Sequence, residues 1–158
     1  MKALTLTQPW ATLVAIGAKR FETRSWSTTY RGPLAIHAGK GLGPVGGMRG
    51  LRELCGREPF RSVLTEAGFA DPADLPRGLI VCTAELVGCS EVCGYPIEPG
   101  GLGVRGAEFE RDFGDYTPGR YAWVLRNVRP VPSGLTARGM QKLWNWDDNA
   151  SFRELIHG

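Results

Sequence analysis

The side chains best suited to chemistry are crowded into one stretch, Gly17 to Leu34. It carries Lys19, Arg20, Glu22, Arg24, Trp26, Tyr30 and Arg31. Its four cations and one carboxylate sum to +3, equal to the formal net charge of the whole 158-residue chain. The remainder nearly balances, so the basic character is concentrated here. Lys and Arg supply phosphate contacts, and a Trp or Tyr face stacks on an unpaired base for about 1–3 kcal/mol. Glu22 can accept hydrogen bonds from the amino groups of a base, or it can hold Lys19 and Arg24 in position. An ordinary solvated strand face with local ion pairs is the competing explanation.

Other patterns carry less. Gly41, Gly43, Gly46 and Gly101, Gly103, Gly106 both match G-x-G-x-x-G. That loop needs a strand before it, a helix opening within it and free backbone N–H groups facing a pyrophosphate. Pro44 removes one N–H from the first loop, and no clear strand precedes the second. No dinucleotide cofactor is expected, nor any other. Cys55, Cys82, Cys89 and Cys93 fit no zinc spacing, and the only histidines are His37 and His157, so no metal site is expected. A hydrolase triad needs a rigidly held histidine. His157 lies next to the chain end, and His37 sits on a strand-like segment where a structural role is favoured. Asp147 or Asp148 suits the cap of a last helix carrying Phe152, Leu155 and Ile156. Glu85 interrupts an apolar strand face, which calls for a partner such as Arg24 or Lys19, or for a place at a barrel mouth.

The elements that position the basic window can be read from periodicity. Lys2 to Leu6 alternates as a short strand. Pro9 opens a helix whose Trp10, Leu13 and Val14 fall on one face, and Gly17 stops it. From Arg20 to Trp26 the period is two, which puts Arg20, Glu22, Arg24 and Trp26 on one face and Phe21, Thr23 and Ser25 on the other. Leu34 to Ala38 is a further strand. Residues 39–47 are a glycine-rich loop, and Met48 to Cys55 and Phe60 to Ala67 have helical spacing. Gly78 to Val92 is the longest β-like run, apolar on both faces for much of its length. Residues 94–119 are irregular, with a helical turn expected around Ala107 to Asp112. Arg120 to Val128 is a strand that Pro130 and Pro132 should end, and Leu143 to Trp146 is a short aromatic segment. Strands that do not alternate regularly with helices argue against a doubly wound sheet. The expected architecture is α+β: a small, mostly antiparallel barrel decorated by helices, in a single domain covering residues 1–158.

A hydrophobic fraction of 42% and a charged fraction of 22% are those of a soluble globular protein. No apolar run approaches the ~20 residues that span a bilayer, and the N-terminal segment does not read as a signal peptide, so the expectation is a cytoplasmic protein without a membrane partner.

Gly17-Ala-Lys19-Arg-Phe-Glu22-Thr-Arg24 resembles the G-x-K-x-x-E-x-R signature of the ASCH domain, a member of the PUA-like superfamily. Leu6-Thr-Gln8-Pro9-Trp10-Ala11 resembles the family's helix start. Arg24-Ser25-Trp26, Thr28, Arg31-Gly32 and Leu34-Ala-Ile36 resemble the version found in a transcription coactivator. Arg77-Gly78-Leu79-Ile80 leading to Val87-Gly88 is similar to the family's second long strand, and Leu143-Trp144 to a late tryptophan segment. The resemblance implies a PUA-like β-barrel with a basic cleft between first helix and barrel, and RNA or another single-stranded nucleic acid, with DNA as an alternative, as ligand. It places Lys19, Glu22 and Arg24 at the site core, with Gly17 shaping the approach.

Some small ASCH proteins hydrolyse acetylcytidine with a Lys, a Thr three residues later and a distant Glu. Here Lys19 matches, but Glu22 occupies the Thr position. Thr23 would lie on the opposite strand face, and neither Glu108 nor Glu110 has a motif to anchor it. As catalytic residues, Glu22 would activate water and Lys19 would stabilise the oxyanion. A ribonuclease relying on metal needs more carboxylates than this window offers. A binding module is therefore favoured over either hydrolase, and a coactivator-like protein-interaction module is a further alternative.

Overall fold

The computed structural model describes residues 1–93 and 110–147. The second glycine loop, Glu108, Asp148, His157 and the last helix expected from the sequence lie outside the described residues. Strand β1 (Lys2–Leu6) runs parallel to β3 (Gly32–Ala38). Every other strand pair in the sheet is antiparallel: β2 (Phe21–Arg24) with β5 (Tyr121–Thr136), β5 with β4 (Leu79–Glu91), β4 with β3, and β1 with β6 (Leu143–Asn145). The six strands lie in the order β2-β5-β4-β3-β1-β6. This is the expected α+β class, in the form of a curled half-barrel with three helices among the described residues.

Helix α1 (Trp10–Ala15) follows β1 directly. Gln8, fully buried, accepts from the Thr12 N–H at 3.1 Å and donates to the Thr12 hydroxyl at 2.8 Å and the Pro76 carbonyl at 2.6 Å. One side chain thus satisfies an orphan helix donor and ties the helix to a distant loop. Gly17, at φ +77°, supplies the left-handed stop. The expected single apolar face is divided between two cores. Ala11 and Val14 pack on the sheet with Leu34, Ile36, Leu86 and Trp123. Leu13 packs instead with Leu51, Phe60, Leu64 and Phe113 beneath α2 (Gly47–Cys55) and α3 (Phe60–Glu66). The helix is therefore a spacer between sheet and helical insertion, and the chain after Gly17 leaves it at the seam between them.

Two expectations about the long strands need correction. Strand β5 continues through Pro130 and Pro132 to Thr136. It pairs with β2 only through Tyr121–Val124, so among the described residues its later half has no strand on that side, where a missing N–H costs no ladder bond. Register shifts against β4 and left-handed backbone at Asn127 and Ser133 absorb the irregularity. Glu85 does not pair with Arg24 or Lys19. It is exposed and accepts from the Asn127 side-chain amide at 2.9 Å.

No helix among the described residues is long and apolar enough to cross a membrane. All four thiols are free, and burial pushes Cys82 up to about 12 and Cys55 up to about 11, which leaves both protonated and unreactive.

Candidate functional site

The turn at Gly17 sends the chain back along the helix, where the Lys19 N–H donates to the Leu13 carbonyl at 3.0 Å. The Lys19 side chain is 1% exposed. Its ammonium donates to the Phe21 carbonyl and lies 3.7 Å from Glu22 Oε2. Glu22 Oε1 lies 3.5 Å from Arg24 Nε, so one carboxylate sits between two cations. Arg24 also donates from Nη2 to the Thr5 carbonyl at 2.8 Å. Thr5 is on β1 and Arg24 on the edge strand β2, far apart in the sheet order. The guanidinium therefore bridges the opening of the half-barrel.

These residues line a cleft of about 510 Å³ between α1, the helical insertion and the ends of β1 and β2. That volume lies within the usual range of small-ligand sites. Trp10, Leu54 and Phe60 give it an apolar wall. Among the described residues its charged lining is Lys19, Arg24 and Arg120 against Glu22, Asp112 and Asp115, so their formal charges balance and the cleft is mixed rather than purely basic. Glu22 Oε2 and Arg24 Nε are both buried without a hydrogen-bond partner. Separations of 3.5 and 3.7 Å hold the three groups by charge and leave hydrogen-bonding capacity unspent.

The structure brings Lys19, Glu22 and Arg24 together and leaves the other candidates out of the cleft. Period two ends at Arg24, where β2 stops, so Trp26 does not continue the face. Its ring packs edge-on against Trp123 at 4.7 Å, and its carbonyl accepts from the Trp123 indole at 3.3 Å. Tyr30 donates to the Pro33 carbonyl, and Arg31, exposed, donates to the Thr28 and Tyr30 carbonyls. The N–H of Arg20 donates to Glu110. Trp26 and Tyr30 thus serve their own loop rather than offering rings to the cleft. Trp10 is the indole that lines it.

Thr23 lines the cleft as well, contrary to the expectation from strand alternation. The Asp112–Asp115 segment folds over that face of β2, and the Asp115 N–H donates to the Thr23 hydroxyl at 3.0 Å. Gly114 makes this approach possible, because a Cβ there would stand 2.8 Å from the Tyr116 ring and 3.3 Å from Thr23. Arg120 completes the corner, donating to the Thr23 and Asp115 carbonyls and pairing with the Asp115 carboxylate at 3.4 Å.

Glu110 had no sequence motif to single it out, yet it is 1% exposed beside the Lys19–Phe21 backbone. Burial raises its pKa, opposed by the N–H groups of Arg20 and Phe21 and by the charge of Lys19. Tyr116, likewise missed, has a buried hydroxyl without a hydrogen-bond partner. Its pKa is pushed up by burial and then by the charges of Glu110 and Glu22. Neither Glu110 nor Tyr116 lines the cleft; both stand behind it. Because the folded pKa of Glu110 exceeds its unfolded value, its contribution to stability is greatest below the ordinary carboxylate value of about 4.3 and falls as pH rises through the folded value. Glu110→Gln keeps an acceptor for the N–H groups and removes the titration. The stability difference between Glu110→Gln and the parent, from urea midpoints at a series of pH values, should increase in favour of the variant across that window. A difference that does not change with pH would refute this.

The ASCH domain family matches residues 4–131 of the chain. The chain is 26% identical over 148 residues to activating signal cointegrator 1 of Mus musculus, an alignment covering 91% of this chain and 22% of that protein. It is 25% identical over 148 residues to the Homo sapiens protein of the same name, with the same coverage. The chain thus spans about a fifth of the length of these curated relatives. Among solved structures, ASCH from Zymomonas mobilis superposes with a TM-score of 0.52 at 15% identity, covering 99% of this chain and 93% of that one. At that identity the likeness is one of fold.

Proposed function

This chain belongs to the ASCH domain family, and from that premise we propose that it binds nucleic acid, RNA ahead of DNA, by taking one unpaired nucleotide into the cleft. The reading rests most on the Glu22 carboxylate, which lines the cleft with 11% of its side chain accessible and is held between Lys19 and Arg24. A base with an exocyclic amino group offers it a donor. A charge-balanced cleft favours a neutral base over a phosphate inside it, and Trp10 offers a stacking surface. Arg24 and Arg120 at the cleft, and Arg20 and Arg31 farther along the same basic window, are then the phosphate contacts. The family's association with RNA binding favours RNA over DNA.

The test is fluorescence anisotropy with labelled, unstructured hexaribonucleotides at low salt. Glu22→Gln exchanges a charge-assisted hydrogen bond for a neutral one, so affinity for adenine- and cytosine-containing strands should fall about tenfold, with a smaller change for uridine strands. Failure of the parent protein to bind any of these strands at 50 mM salt would overturn the reading, 50 mM being the order at which counterion release still favours binding.

One observation favours a second reading, deacylation of an acylated nucleoside: Lys19 and Glu22 share the cleft with their charged groups 3.7 Å apart, as an oxyanion donor and a water-activating base would. Turnover of a panel of acylated nucleosides, lost separately on Glu22→Ala and Lys19→Ala, distinguishes it from binding alone.

A further inference from the structure

A second and larger cavity, about 880 Å³, adjoins the cleft and shares Thr5, Thr7 and Pro44 with it. It lies between the turn after β3, residues 39–41, and the segment joining β5 to β6, residues 136–141. We propose that this cavity carries the phosphodiester backbone of the strand whose base enters the cleft, with Lys40 and Arg138 making phosphate contacts in addition to those of the cleft and the basic window. The inference rests on the nucleic-acid reading and extends it from a single-nucleotide pocket to a track.

Charge separates the two cavities. Among the described residues, Lys40 and Arg138 are the only formally charged ones lining the second cavity and no carboxylate lines it, whereas the cleft balances its charges. Both are exposed, and neither is ion-paired among the described residues. A polyanion is therefore drawn to the second cavity, and a neutral base suits the first. Met140, 55% exposed on the same wall, gives an apolar surface beside the cations that a sugar can cover.

The cations are mounted on built features. Gly78 adopts φ +74°, and a Cβ there would come within 2.6 Å of Lys40 Cε, so the Lys40 stem lies directly on the Gly78 backbone. The segment bearing Arg138 is anchored on both sides. His37 Nε2 bonds the Ala137 carbonyl at 3.0 Å, and its Nδ1 bonds the Thr5 hydroxyl at 3.2 Å. Gly139 packs against the His37 ring, where a Cβ would stand 2.5 Å from Cε1. Because a carbonyl can only accept, Nε2 carries the proton. Burial, with the nearby Lys40 charge, lowers the His37 pKa and keeps the ring neutral. His37 is thus the prop that holds the Arg138 segment over β1.

The experiment compares two ligands on the full chain: a labelled hexaribonucleotide and a single nucleoside bearing the preferred base. In the double variant Lys40→Ala/Arg138→Ala, the slope of log affinity against log salt for the hexamer should fall by about 1.4, at roughly 0.7 per phosphate contact on a single strand. About sevenfold of the affinity that the parent loses between 50 and 200 mM salt would then no longer be lost. Nucleoside binding should not change. An unchanged hexamer slope, with nucleoside binding intact, would overturn the track and leave the cleft reading standing. A double variant that weakens nucleoside and hexamer alike would also overturn it, since the two cations would then be acting on the cleft. A parent protein that binds neither ligand removes the cleft reading and the track together. Both positions are exposed, so the variant should keep the parent's circular dichroism, with Lys40→Gln/Arg138→Gln as the substitute if it does not.

Discussion

Lys19→Met is expected to destabilise the protein by about 3 kcal/mol, near the low end for removal of one partner from a buried ion pair. Methionine fills the space of the aliphatic stem, so the loss is electrostatic rather than a cavity. Lys19 is 1% exposed, and its ammonium sits between the Phe21 carbonyl and Glu22. Without it, Glu22 keeps only Arg24 at 3.5 Å, and the Phe21 carbonyl loses its donor. The charge of Lys19 also opposes the burial penalty on Glu110, so two carboxylates lose support at once. The same geometry predicts partial rescue: Lys19→Met/Glu22→Gln removes the stranded carboxylate and should recover at least about 1 kcal/mol relative to the single variant. Guanidinium unfolding followed by tryptophan fluorescence measures all members of the cycle. A double variant whose loss equals the sum of the Lys19→Met and Glu22→Gln losses would show that Lys19 and Glu22 are not coupled.

Trp123→Ala should cost about 3–5 kcal/mol, the range for deleting a large buried aromatic. Trp123 is 0% exposed and heads the largest fully buried side chains. It packs edge-on against Trp26 and donates its indole N–H to the Trp26 carbonyl, which anchors the loop after β2. In the ladder it stands opposite Glu22. Its loss would therefore loosen the strand that presents Glu22 and Arg24 as well as opening a core cavity. Trp123→Phe retains a ring and should recover a large part of the stability without restoring the N–H bond. Calorimetric melting temperatures order the three proteins, and equal temperatures for the Ala and Phe variants would contradict the packing argument.

These variants lie in the part of the molecule most legible from sequence. Lys2 to Leu6, the helix opening at Pro9, its stop at Gly17 and the strand at Leu34 to Ala38 are set by alternation, helical spacing and a left-handed glycine, all of which act over a few residues. Lys19, Glu22 and Arg24 are close in sequence, so the turn and the short strand suffice to cluster them. The same rules failed where a distant segment intervened. Trp26 belongs to the strip by alternation, but Trp123, 97 residues away, holds its loop. Thr23 should face away from Glu22, but Asp112–Asp115 folds over that side and brings it to the cleft. Pro130 reads as a stop because a lone sequence does not reveal that β2 ends before it, leaving no strand among the described residues on that side.

By itself, then, the sequence determined the family, the early elements, the concentration of charge between Gly17 and Leu34 and its core of three residues. The tertiary structure alone decided that Lys19 is buried, that the carboxylates of Asp112 and Asp115 offset the cations of the cleft, that Glu110 stands behind the Lys19–Phe21 backbone, and that Lys40 and Arg138 face one cavity beside it. Periodicity and turn chemistry report interactions within a few residues. Burial and the balance of charge at a site depend on which remote segments the sheet order brings together, and here those segments come from nearly 100 residues farther along the chain.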